Sequence, residues 1–126
     1  MNVIRAGSTL LLGEPPLYKP HLWFVLTDPQ GDPSRVVAVM LRTVARFTDP
    51  TLILHAGDHP FIRHDSAVHY SSARWLAVRA LLAAMQVGNC HLKEDTSAAL
   101  LTQVRAGLLE SPFTVNALRD QCKKLF

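Results

Sequence analysis

Apolar positions in this chain come first in unbroken runs and later at intervals of three and four. Leu22-Trp23-Phe24-Val25-Leu26 and Arg35-Val36-Val37-Ala38-Val39-Met40-Leu41-Arg42-Thr43 are rich in β-branched and aromatic residues. Such runs fit strands covered on both faces. Between them, Thr27-Asp28-Pro29-Gln30-Gly31-Asp32-Pro33-Ser34 is made of turn-forming residues. That connection is too short for a helical crossover, so the two strands read as an antiparallel hairpin. Ile4 and the leucines at 10–12 mark a short strand, broken by Gly13-Glu14-Pro15-Pro16. Asp49-Pro50 turns the chain into a third strand, Thr51-Leu52-Ile53-Leu54-His55. A further strand starts at Ser66 and runs to about Val78. Its last part, Ala73–Val78, fits strand and helix alike.

From Ala80 the period changes. Leu81, Leu82 and Met85 share a helical face, and Gly88-Asn89 supplies a stop. Asp95-Thr96-Ser97 offers N-caps for a helix with Leu100, Leu101, Val104 and Leu108 on one side. Ser111-Pro112 has the form of a cap with proline at the first helical position. Val115, Leu118, Cys122 and Leu125 then recur every three or four residues. Strands first and helices last predict an α+β fold: a curled antiparallel sheet or small barrel with helices packed at one end. The expected division is one domain over 1–126, with the barrel at about 17–80 and the helical part at about 81–126.

The totals narrow the class. A chain of 126 residues, 48% hydrophobic and 18% charged, is one compact domain and not a disordered tail. No apolar run reaches the roughly 18 residues that a membrane span needs. The run at Leu10–Leu12 is too short for a secretion signal and no cleavage site follows it, so a cytoplasmic location without membrane attachment is expected. Two cysteines, Cys90 and Cys122, without CxxC spacing fit structural free thiols. A net charge of +3 permits an acidic partner without requiring one.

Candidate chemistry concentrates in Gly57-Asp58-His59-Pro60-Phe61-Ile62-Arg63-His64-Asp65-Ser66-Ala67-Val68-His69-Tyr70, with three of the six histidines. A metal would need three or four convergent ligands. His59, His64 and His69 are five apart, which shares a face on neither strand nor helix, so no metal and no cofactor are expected. Asp65-Ser66-Ala67 lacks the sharp elbow of a nucleophilic serine.

The front of the chain resembles the PemK/MazF group, the toxins of toxin–antitoxin pairs. The resemblance rests on Lys19-Pro20-His21 before the strand ending at Thr27, on the strand ending in Arg42-Thr43, and on the entry Ser66-Ala67-Val68. It covers about residues 17–80, and Gly57–Ile62 is similar to a GDHPFI-type element of uncharacterised PemK-like proteins. The loop Thr27–Ser34 is acidic where typical members carry an arginine. The resemblance implies an SH3-like barrel and a metal-independent endoribonuclease acting on single-stranded RNA. It also implies an antitoxin partner and a homodimer.

Such cleavage needs a base for the 2′-hydroxyl, an acid for the leaving 5′-oxygen and a cation for the phosphate. The proton carriers here would be His21, His59 and His64. The phosphate cations would be Arg42 and Arg63, with Lys19 also facing RNA and Thr43 donating a hydrogen bond. Each residue has a plainer reading as well. His59 before Pro60 fits a turn, Arg63 and His64 beside Asp65 fit a solvated ion cluster, and Arg42 and Thr43 fit a polar strand end. The alternative function is therefore a barrel that binds a protein partner or RNA without cleaving it.

Overall fold

The computed structural model describes residues 3–126; Met1 and Asn2, which open the stretch weighed as a secretion signal, lie outside it. Its elements are β1 (Thr9–Gly13), β2 (Pro20–Val25), β3 (Arg35–Thr43), β4 (Ile53–Leu54), β5 (Ser66–Ala77), α1 (Val78–Gln86), β6 (Cys90–Lys93), α2 (Ala98–Glu110) and α3 (Asn116–Lys123). The fold is α+β. Six strands make one curled, wholly antiparallel half-barrel in the order β4-β5-β3-β2-β1-β6.

The two continuous apolar runs became β2 and β3, and they pair as a hairpin, with Trp23 opposite Met40 and Val25 opposite Ala38. Both faces of this pair are covered. Leu22, Phe24, Val37, Val39 and Leu41 pack with α2 and α3 through Leu100, Val104, Leu108, Leu118 and Cys122. Trp23, Val25, Val36 and Ala38 pack on the other face with Leu10, Leu12, and with Val78 and Leu81 of α1. Each fully buried large side chain here is worth about 1.5–3 kcal/mol in water-excluded surface. The helices therefore cover both faces of the sheet and are not gathered at one end of it.

β5 is bent. Ala38 pairs with Arg74 but Met40 pairs with His69, so five steps on β5 answer two on β3. The ladder is patched by a side chain: Ser72 Oγ accepts from Met40 N at 3.0 Å and donates to the His69 carbonyl at 2.6 Å. A bulge of this kind increases curl and re-aims the residues beyond it. On the helical side, Gly107 leaves room for Tyr70, whose hydroxyl donates to the Val104 carbonyl at 2.9 Å.

Three local expectations need correction. The third strand is only Ile53–Leu54. β6, too short to announce itself, adds a sixth strand beside β1, so the sheet draws on residues outside 17–80. Ser111 does not cap α3, which starts at Asn116. Its hydroxyl donates to Asp49 Oδ2 at 2.8 Å and accepts from Phe113 N at 3.1 Å, so Ser111-Pro112 forms a turn instead. Ser97, by contrast, caps α2 as read, accepting from Leu100 N at 3.1 Å. No helix among the described residues is long and apolar enough to cross a membrane.

Candidate active site

Antiparallel pairing brings three chain ends to one place. The start of β2 lies beside the end of β3, and the end of β3 lies beside the start of β5, with Arg42 opposite Ala67 and Thr43 opposite Ser66. The segment between β4 and β5 folds over this corner. The result is a cleft of about 540 Å³ lined by Lys19, His21, Arg42, Thr43, Arg63 and His64 over an apolar base that includes Leu22, Leu41 and Ile62. Every residue nominated for RNA contact and five of the six nominated for catalysis thus border one cavity.

The polar contacts inside it are few and specific. Thr43 Oγ1 and His64 Nε2 are 3.0 Å apart and share a hydrogen bond. Ser66 Oγ donates to the His64 carbonyl at 2.9 Å, which fixes the backbone that carries the imidazole. Alternation along β2 and β3 puts His21 and Arg42 on the face opposite Leu22 and Leu41, so they meet the cleft at its rim. Burial first, then the nearby charges of Arg42 and Lys19, lower the His21 pKa below the ordinary imidazole value, against a smaller opposing pull from Glu14.

No carboxylate lines the cleft. Asp65, adjacent to His64 in sequence, is drawn away: its Oδ1 pairs with His55 Nδ1 at 2.8 Å. The ion cluster of Asp65 with Arg63 and His64 is therefore not what forms. Glu14 is held by Arg74 at 2.5 Å. Among the described residues, Lys19, Arg42 and Arg63 take part in no ion pair. Three uncompensated cations around one concave surface make a site for an anion.

His59 is the exception. It is only 2% exposed and does not border the cleft. Phe61 N–H donates to His59 Nδ1 at 3.0 Å, which leaves Nε2–H to donate to the Glu94 carbonyl at 2.6 Å. Thr9 Oγ1 donates to the same carbonyl and lies 3.4 Å from Nε2. The ring also meets Phe24 edge-on, with centroids 6.4 Å apart. His59 thus ties the segment leaving one sheet edge to the residues that follow the opposite edge strand. Both ring nitrogens are engaged, so the placement differs from that of a proton carrier open to substrate. The inward turn is set locally: Asp58 Oδ2 accepts from His55 N at 2.8 Å, and Gly57 takes φ +96°, which a glycine adopts freely.

Sequence reading passed over Phe61, which lines the cleft with its ring partly exposed and with Lys93 Nζ 5.8 Å from its centroid. An aromatic residue in an otherwise polar turn was the available signal. His69, five residues beyond His64, lies outside this cleft; burial and then Arg42 lower its pKa, with Asp49 opposing. Comparison of the chain with protein-family models, with curated proteins and with solved structures finds no match.

Proposed function

We propose that the cleft binds single-stranded RNA and cleaves it without a metal, in the manner of the PemK/MazF toxins on an SH3-like barrel. The observation that carries this reading is the convergence of Lys19, His21, Arg42, Thr43, Arg63 and His64 on one cavity that no carboxylate lines. Arg42, Arg63 and Lys19 would hold the scissile phosphate; the arginine fork suits a bidentate grip. His21, held neutral by burial and its cationic neighbours, is suited to take the proton from the 2′-hydroxyl. The 2′-oxygen attacks phosphorus and the bond to the 5′-oxygen breaks. His64, oriented by Thr43, returns a proton to that leaving oxygen. The products are a 2′,3′-cyclic phosphate and a 5′-hydroxyl, and no external reactant is consumed.

This reading brings with it an antitoxin partner, acidic enough to meet the cleft, and a cytoplasmic homodimer. Purified protein with a chelator present should cut single-stranded RNA, and expression in a host cell should arrest growth. His64→Ala and His21→Ala should each slow cutting by roughly 10²–10⁴-fold. RNA that stays intact but is retained by the protein would replace cleavage by binding alone.

A further inference from the structure

A second cavity, of about 310 Å³, adjoins the first and shares Arg42, Thr43 and Ala45 with it. Its other walls include Arg46, Phe47, Thr48, Asp49 and His69. Phe47 is 92% exposed, the most exposed large apolar side chain among the described residues. A single exposed aromatic is ordinary on a protein surface. This one is presented by a closed turn. Ala45 N donates to Thr48 Oγ1 at 2.6 Å and Thr48 N donates to the Ala45 carbonyl at 3.3 Å, which leaves Phe47 at the tip. The Arg46 guanidinium carbon lies 5.4 Å from the ring centroid.

We infer that this second cavity is a nucleobase subsite, in which Phe47 and Arg46 stack the base of the nucleotide next to the phosphate held by Arg42. The inference rests on the RNA reading of the first cleft and extends it to a second nucleotide. Three features favour a base here over a second phosphate. An aromatic face and a guanidinium plane are the surfaces on which single-stranded bases stack, whatever their identity. Arg42 borders both cavities, so a phosphate at Arg42 leaves the adjoining base beside Phe47. Asp49 belongs to the wall of the second cavity, its carboxylate held just behind it by Thr51 N and Thr51 Oγ1 on Oδ1 and by Ser111 Oγ on Oδ2. A negative charge at that distance disfavours a second phosphate and leaves a neutral base unaffected.

The test uses the full chain and a fluorescein-labelled 2′-O-methyl RNA hexanucleotide, which cannot be cleaved because its 2′-oxygen is blocked. Binding is followed by fluorescence polarisation. Phe47→Ala should weaken binding about tenfold, the effect of losing one stacked base, while leaving the salt dependence unchanged. Phe47→Trp should keep the affinity, and its added indole fluorescence should be quenched when RNA binds. Arg63→Gln should weaken binding and make it less sensitive to salt. Parent-like affinity of Phe47→Ala, with Arg63→Gln impaired, overturns the base subsite and leaves the first cleft standing. Failure of the parent chain to bind, or indifference of both variants, overturns the cleft reading and the subsite with it.

Discussion

His59 and His64 stand five residues apart in one segment, yet the protein uses them in opposite ways. His59 is buried, with Phe61 N on one ring nitrogen and the Glu94 carbonyl on the other. His64 is exposed at the cleft and shares its hydrogen bond with Thr43 at the end of β3. One imidazole closes the half-barrel and the other is left facing the space where chemistry would happen. Neighbours, and not residue type, divide a buried histidine from one left open at a cleft. The same segment supplies both, so closing the sheet also positions the wall of the site.

The largest effect that would break this contrast is on rate. His64→Ala should lower RNA cleavage by roughly 10²–10⁴-fold with the melting temperature unchanged, read from initial rates and a thermal melt. His59→Ala should do the reverse. It empties the space of a side chain only 2% exposed and removes the bridge between Phe61 N and the Glu94 carbonyl, so it should cost about 2–3 kcal/mol in a denaturant titration. Cleavage well below its melting point should fall far less than in His64→Ala. A His59 variant that melts like the parent would remove the clasp from the account.

Smaller effects sharpen the electrostatic side. With three phosphate-facing cations, the logarithm of RNA affinity should fall against the logarithm of salt with a slope of about −2, since single strands release roughly 0.7 counterion per contact. Arg63→Gln should flatten that slope by about 0.7. A slope near zero in the parent would mean that the cleft does not grip phosphate.

The smallest effect concerns pH. The His21 pKa is lowered from 6.5, so its activity-limiting inflection should lie on the acid side of that value, with kcat/KM rising as pH increases through it. The unfolded chain then holds more protons at this position than the folded one. The small stability contribution of a neutral His21 is present above pH 6.5 and lost as pH falls through the folded value. His55 has the opposite sign, because hydrogen bonding to Asp65 raises its pKa. That pair is exposed, so His55→Gln should leave the melting curve unchanged near neutrality.

Much of the fold was readable one stretch at a time. Arg35–Thr43 announced itself because a strand buried on both faces needs an unbroken apolar run, and Ser97 and Gly88 marked helix ends through cap chemistry. Cys90 and Cys122 are buried free thiols; burial pushes Cys122 up to about 11 and raises Cys90 as well. The residues of the cleft were nominated from two places, Lys19, His21, Arg42 and Thr43 at the polar ends of apolar strands and Arg63 and His64 in the histidine-rich segment. What escaped depended on distant partners. Ser111 looked like a helix cap until Asp49, 62 residues away, took its hydroxyl. β6 has four residues and gains its identity only from pairing with β1.

By itself, then, the chain's local pattern determined the strand-and-helix order, the β2–β3 hairpin and which side chains could bind an anion or move a proton. Those follow from short-range sterics and the period of apolar positions. Only the tertiary structure decided which histidine faces inward, which aspartate is drawn off by His55, and that the ends of β2, β3 and β5 share a cleft with the turn at Phe47 beside it. Those outcomes depend on contacts between residues tens of positions apart, such as His59 with Glu94, which hydrophobic periodicity does not encode.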